Sequence, residues 1–209
     1  LTIESAKFWD RIAPRYSEQP IADTQSYARK LAATQALMRP EMVVLEFGCG
    51  TGSTALEHAQ HVAHIDATDI SAAMIAIGRE KAESAGVENV TFIKSGVEDF
   101  DARDTSYDVV LALNLLHLLP DRAAALAKIY RLLKPGGVLV SSTVCLSDRM
   151  WFMRPVITVM QWIGKAPYVS FVKSAAVLRE VEDAGLILQE HWSHGRANSL
   201  FVVAKKREG

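Results

Sequence analysis

The chain has 209 residues, 49% of them hydrophobic and 22% charged, with a formal net charge of −1 and 2 cysteines. That composition suits one domain with a substantial core. It offers no basic stripe for a nucleic-acid backbone, no cysteine framework and no metal-ligand spacing. No signal or transit segment is read after Leu1, and a reduced, cytoplasmic setting is expected.

Residues 2–39 read as two short helices, with Phe8, Trp9, Ile12 and Tyr16 at helical spacing and Pro14 expected to break the first near its end. From there strands and helices alternate. A first strand, Met42 to Phe47, leads through a glycine turn into a helix starting near Ser53. A second strand, Ala63 to Thr68, ends at Asp69; Ser71 caps the helix that follows, and Gly86 stops it. Val90 to Lys94 and Tyr107 to Leu113 are the next strands. A helix opens at Pro120-Asp121 and runs to Leu133, and Lys134-Pro135-Gly136-Gly137 turns the chain into a fifth strand, Val138 to Val144. An apolar insertion spans residues 146–173. Then come a helix from Ser174 to Ala184 and two strands, Leu186 to Trp192 and Ser199 to Lys205, joined through Ser193–Asn198 as a hairpin. This alternation implies an α/β sandwich of three layers, a mostly parallel sheet covered on both faces and ending in an antiparallel hairpin.

The most telling stretch is Glu46-Phe47-Gly48-Cys49-Gly50-Thr51-Gly52. Glycine accepts left-handed dihedrals and lets a ligand lie directly on the backbone. A dinucleotide fingerprint, G-x-G-x-x-G, would set a pyrophosphate on the next helix. Here the third glycine comes one residue too early, and Glu46 would repel a phosphate while suiting a cation. In an open parallel sheet, ligands gather beyond the carboxyl ends of the strands. Asp69 stands at such an end, where a carboxylate can accept two hydroxyls of a ribose. Its other reading is a cap for the following helix.

An acidic residue followed by G-x-G-x-G resembles the first motif of class I S-adenosylmethionine (SAM)-dependent methyltransferases. The order of elements is similar to their seven-stranded sheet over roughly residues 43–204, and Phe8–Tyr16 is similar to the opening of the ubiquinone/menaquinone type. The resemblance implies one domain over residues 1–209, with residues 1–40 as a helical cover and SAM as cofactor. It implies a cofactor set of Tyr16, Glu46, Gly48, Gly50, Gly52, Asp69, Ile70, Val97, Glu98, Asn114 and Leu115. Gly96 stands where relatives usually carry an adenine-reading Asp, leaving the Val97 amide or Glu98 for that contact. Trp9 is expected only to staple the first helix to the core.

His117, just after the fourth strand, reads either as a packed residue of the turn or as a base touching substrate, and Tyr168 as a gate. The insertion is rich in Met and aromatic residues, Trp151 among them, but Arg154, Pro155, Lys165 and Pro167 keep it short of a membrane span. It reads as an acceptor pocket or lid, as an interfacial helix at a membrane surface, or as a homodimer surface. The implied activity is methyl transfer to a small, hydrophobic or aromatic acceptor, without metal or nucleic acid. A non-catalytic SAM-binding subunit docking a partner and a membrane-surface quinone or lipid methyltransferase remain alternatives.

Overall fold

Val44 and Leu45 are neighbours in the first strand, both fully buried, yet they enter different cores. Successive strand residues point to opposite faces, so an unbroken apolar run demands cover on both sides. The computed structural model describes residues 3–195 and 198–209 and supplies that cover. The strands are β1 (Val43–Phe47), β2 (His64–Asp69), β3 (Val90–Lys94), β4 (Tyr107–Leu113), β5 (Leu133–Val144), β6 (Leu186–His194) and β7 (Ser199–Lys206). They form one sheet in the order β3-β2-β1-β4-β5-β7-β6. Only β7 runs against the others, pairing antiparallel with both β5 and β6.

The helices are α1 (Ile3–Glu18), α2 (Thr24–Gln35), α3 (Ser53–Ala59), α4 (Ala72–Ala85), α5 (Arg122–Leu132), α6 (Leu146–Arg149), α7 (Arg154–Trp162) and α8 (Ser174–Asp183). Leu45, Val110 and Leu139 pack under Leu126 and Ile129 of α5 and Val177 and Val181 of α8. Val44, Ile65, Val109 and Leu111 pack on the other face against Ala55 of α3 and Ile75 and Ala82 of α4. β1 lies between β2 and β4, so the chain leaves it in one direction and later returns on its other side. A crevice opens at that reversal, beyond the strand tips.

Two local expectations change. α1 does not break at Pro14 but continues to Glu18. Pro14 forfeits one hydrogen bond, yet Ala13 beside it is fully buried, and this packing carries the helix onward. The Lys134–Gly137 segment lies inside β5 rather than before it: Leu133 already pairs with Tyr107, and Val138 resumes the pairing at Val109. The segment is thus a bulge, pinned where Lys134 Nζ and the Val43 amide both donate to Asp108 Oδ2, at 2.7 and 2.8 Å. The last two strands form the expected hairpin, although Arg196 and Ala197 of its turn, like Thr2 at the start, lie outside the described residues.

Caps follow the sequence closely. Ser71 Oγ accepts from the Met74 amide and Asp121 Oδ1 from the Ala124 amide, while Gly86 ends α4 in a left-handed conformation. α5 is closed from outside itself, by Lys206 Nζ donating to the carbonyls of Tyr130 and Leu133, both at 2.7 Å.

Candidate active site

The turn after β1 is held to the tip of β2 by two backbone donors. The Cys49 amide donates to the Thr68 carbonyl at 2.9 Å, and the Gly50 amide donates to Asp69 Oδ2 at 3.0 Å. Asp69 Oδ1 accepts from the Ser71 amide at 2.9 Å, so this one carboxylate fixes both the glycine turn and the entry into α4. Each of its oxygens retains a lone pair for a ligand hydroxyl. Burial pushes its pKa up, opposed by those two amides. At Gly48 a Cβ would sit 2.9 Å from Leu115 Cδ1, so glycine here lets the β4 tip close against the turn.

Glu46 is buried at the end of β1, and its Oε2 has no partner within the protein. Burial above all, then the charge of Asp69, raises its pKa to about 8. Thr68 Oγ1 is a second buried, unpartnered acceptor at these strand tips. Beyond β3, the Ser95 amide donates to the Asp69 carbonyl at 3.0 Å and sets Ser95, Gly96 and Val97 beside it. A Cβ on Gly96 would lie 3.3 Å from both Ile70 Cγ2 and Glu98 Oε2, a tight fit for any side chain there.

After β4, Asn114 adopts φ 56, a left-handed conformation that asparagine tolerates better than most residues. Its amide donates to the Ser142 carbonyl at 2.7 Å, and its Oδ1 accepts from Ser142 Oγ at 3.3 Å. α1 supplies the remaining wall through Trp9 and Tyr16. Partial burial and the nearby Asp69 charge raise the Tyr16 pKa.

These tips enclose a cleft of about 860 Å³, its open mouth included. Tyr16, Glu46, Gly48, Gly50, Asp69, Ile70, Val97, Asn114 and Leu115 line it together. Gly52 does not: a Cβ there would meet the Phe92 ring at 2.5 Å, so its φ of 75° serves the packing of α3. Glu98 is exposed outside the cleft, its carbonyl accepting from Lys128 Nζ. His117 sits buried in a short 3-10 turn, with Nδ1 accepting weakly from the Val144 amide at 3.4 Å, and does not line the cleft. Burial lowers its pKa to about 4, so it is neutral at physiological pH.

Tyr168 lines a second cavity, between α1 and the insertion, with Phe8, Arg11, Trp162 and Pro167. Leu118 borders both cavities. Trp151 is 70% exposed and lines neither. Trp9, expected only as a staple, lines the first cleft, as do Thr68, Cys49 and Met74. Trp9 stands two turns before Tyr16 and so shares its face of α1, a spacing that the sequence displays. Thr68 was detectable only as the residue before Asp69.

Comparison with known proteins fits this geometry. Residues 44–137 match the methyltransferase-domain family. The ubiquinone biosynthesis O-methyltransferase of Saccharophagus degradans is 30% identical over 197 residues, covering 90% of this chain and 82% of that protein. The chain spans a smaller share, 59% to 64%, of other curated relatives that it matches. A SAM-dependent methyltransferase structure from Methanosarcina mazei superposes with a TM-score of 0.72 at 16% identity, over 85% of this chain and 98% of that one. The [4+2]-cyclase SpnF superposes at 0.79 with 15% identity, over 98% and 95% of the two chains. The chain belongs to the class I SAM-dependent methyltransferase family. Within it, the relatives' names favour a methyltransferase over a non-catalytic binding subunit.

Proposed function

We propose that this protein transfers a methyl group from SAM to a small, hydrophobic or aromatic acceptor, in a reduced cytoplasmic setting that suits its two buried, unpaired cysteines. The observation that carries the reading is the unpartnered Oε2 of Glu46 on the cleft wall. A buried carboxylate without a partner is costly, and a cation supplies the missing interaction. The donor set therefore fits the cationic amino-acid end of SAM. Asp69 would hold the ribose, the Val97 amide and the Ile70 side chain the adenine, and the Gly48–Gly50 backbone and Asn114 the methionine portion.

Bound there, SAM supplies a methyl group already activated by its positive sulfur. The protein's work is alignment and exclusion of water. Trp9 and Tyr16 cover the cleft from α1, while Leu118 presents an apolar border between the two cavities. That cavity, walled by Phe8, Trp162, Pro167 and Tyr168, is the acceptor site in this reading. His117 is buried away from both cavities, which favours acceptors that need no protein base, such as an acidic oxygen.

The deciding experiment is a methyl-label transfer screen over phenols, quinols, amines, thiols and fatty acids, read by mass spectrometry. Label should enter a phenol or quinol. SAM binding without transfer to any class would return the protein to a non-catalytic role. Trp162→Ala should raise the acceptor KM several-fold, whereas Trp151→Ala should leave it near wild type.

A specific observation favours a second reading, of the insertion's outer face. Trp151 and Phe152, which line neither cavity, are 70% and 57% exposed, and Arg149, Arg154, Lys165 and Lys173 lie along residues 149–173 with no acidic residue among them. Exposed aromatic residues among cations suit contact with an anionic lipid surface. Sedimentation with phosphatidylglycerol vesicles, lost in a Trp151→Ala, Phe152→Ala double variant, supports it. A concentration-dependent homodimer that ignores the vesicles assigns the same face to self-association.

A further inference from the structure

Two adjacent residues of α1 hold different helices. Asp10 Oδ1 accepts from Ser71 Oγ at 2.6 Å and from the Ala73 amide at 3.0 Å, at the N-terminus of α4. Arg11 Nη2 donates to the Gly164 carbonyl at 2.6 Å, just past the C-terminus of α7. Each charge thus meets the helix end of opposite partial charge. Neighbours on a helix point about 100° apart, so the two grips act in different directions.

We infer that α1 is a crossbar coupling the cofactor cleft to the acceptor cavity, with Asp10 and Arg11 as its positioning residues. The inference rests on the proposed cofactor reading of the cleft. At one end the connection is continuous and short. Gly50 and Ser71 both donate to Asp69, and Ser71 donates in turn to Asp10. A ligand on Asp69 therefore bears on the residue that anchors α1. At the other end Arg11 holds Gly164, and residues 161–168 supply Gln161, Trp162, Pro167 and Tyr168 to the second cavity. α1 itself lines both cavities, through Trp9 and Tyr16 on one side and Phe8 and Arg11 on the other.

The cofactor binds better to the state with α1 seated, and seating α1 draws residues 161–168 over the acceptor cavity. Differential affinity of that kind is what moves such an equilibrium. The order of events follows: cofactor first, then a formed acceptor cavity. Asp10 and Arg11 take no part in the methyl transfer itself.

Hydrogen–deuterium exchange on the full chain, with S-adenosylhomocysteine as the probe, tests this. In the free protein Asp10→Ala should speed exchange several-fold both in α1 and in residues 161–168, which Asp10 does not touch. Asp10→Asn keeps a side-chain acceptor and should stay near wild type. Loosening confined to α1 overturns the crossbar. Arg11→Ala leaves the α4 contact intact and is the variant to use should Asp10→Ala fail to fold. In wild type, saturating S-adenosylhomocysteine should slow exchange in residues 161–168 several-fold, and Arg11→Ala should abolish that protection. Binding without protection, or protection that survives Arg11→Ala, overturns the coupling alone. Absence of binding overturns the cofactor reading, and the coupling falls with it.

Discussion

Glu46 and Asp69 are both acidic residues at strand tips, and burial treats them differently. Asp69 receives two backbone amides, whereas one oxygen of Glu46 receives nothing from the protein. In the free protein Glu46 keeps its proton up to about pH 8. A bound cation favours the carboxylate, so binding releases that proton. Affinity for S-adenosylhomocysteine should therefore drop as pH falls below about 8, by roughly tenfold per unit at the steepest. Glu46→Gln should bind more weakly and lose that part of the slope. Calorimetry across the range in two buffers of different ionisation enthalpy measures both, and a parallel pH profile for the variant would reject the assignment. Asp69→Ala should weaken the same ligand at every pH, because it also releases the Gly50 amide. Both acids could be picked out in the sequence from their place at strand ends. That Asp69 also accepts from the Gly50 amide was not legible, because this donor comes from a turn 19 residues away.

Among elements, the glycine turn shows how one residue type serves separate ends. Gly48 admits Leu115, whereas Gly52 admits the Phe92 ring beneath α3. Gly86, at the end of α4, has φ 64 and open space around it. Gly86→Ala should cost about 1–2 kcal/mol, the left-handed penalty alone. Gly52→Ala adds a steric clash of roughly 1–3 kcal/mol to that penalty. Urea unfolding of the two variants compares them directly, and equal midpoints would mean that the Phe92 contact carries no weight. Alternation of strand and helix patterns made β1 to β4, α4 and the final hairpin readable, since each depends on local periodicity and caps. The extension of β5 to Leu133 was not readable, because it depends on Tyr107 offering an edge. Neither was the persistence of α1 past Pro14, which packing decides. The insertion's composition disclosed its apolar character, but not that Trp162 rather than Trp151 would face the cavity.

For the molecule as a whole, three buried ionisable groups shape stability against pH. His58 and His117 are each held near pKa 4 by burial, against an ordinary 6.5. Between those values the unfolded chain binds more protons, so stability rises with pH and is lost as pH falls toward 4. Glu46 acts in the opposite sense: from 4.5 to about 8 the folded state holds the extra proton, and stability declines as pH rises. Above pH 6.5 the histidine contributions are complete while that of Glu46 still declines, so the ligand-free protein should lose stability from there toward pH 8. Thermal melts should show that decline, and Glu46→Gln should flatten it. A melt profile for the variant that tracks wild type above neutrality would sink that account. The position of β7 carries a consequence for how the chain is made. The last of these seven strands in chain order is an interior one, inserted between β5 and β6. Until residues 199–206 emerge, both of those strands offer bare edges on which another nascent chain could pair. Premature stops near residue 198 should accordingly yield inclusion bodies rather than a trimmed but working enzyme.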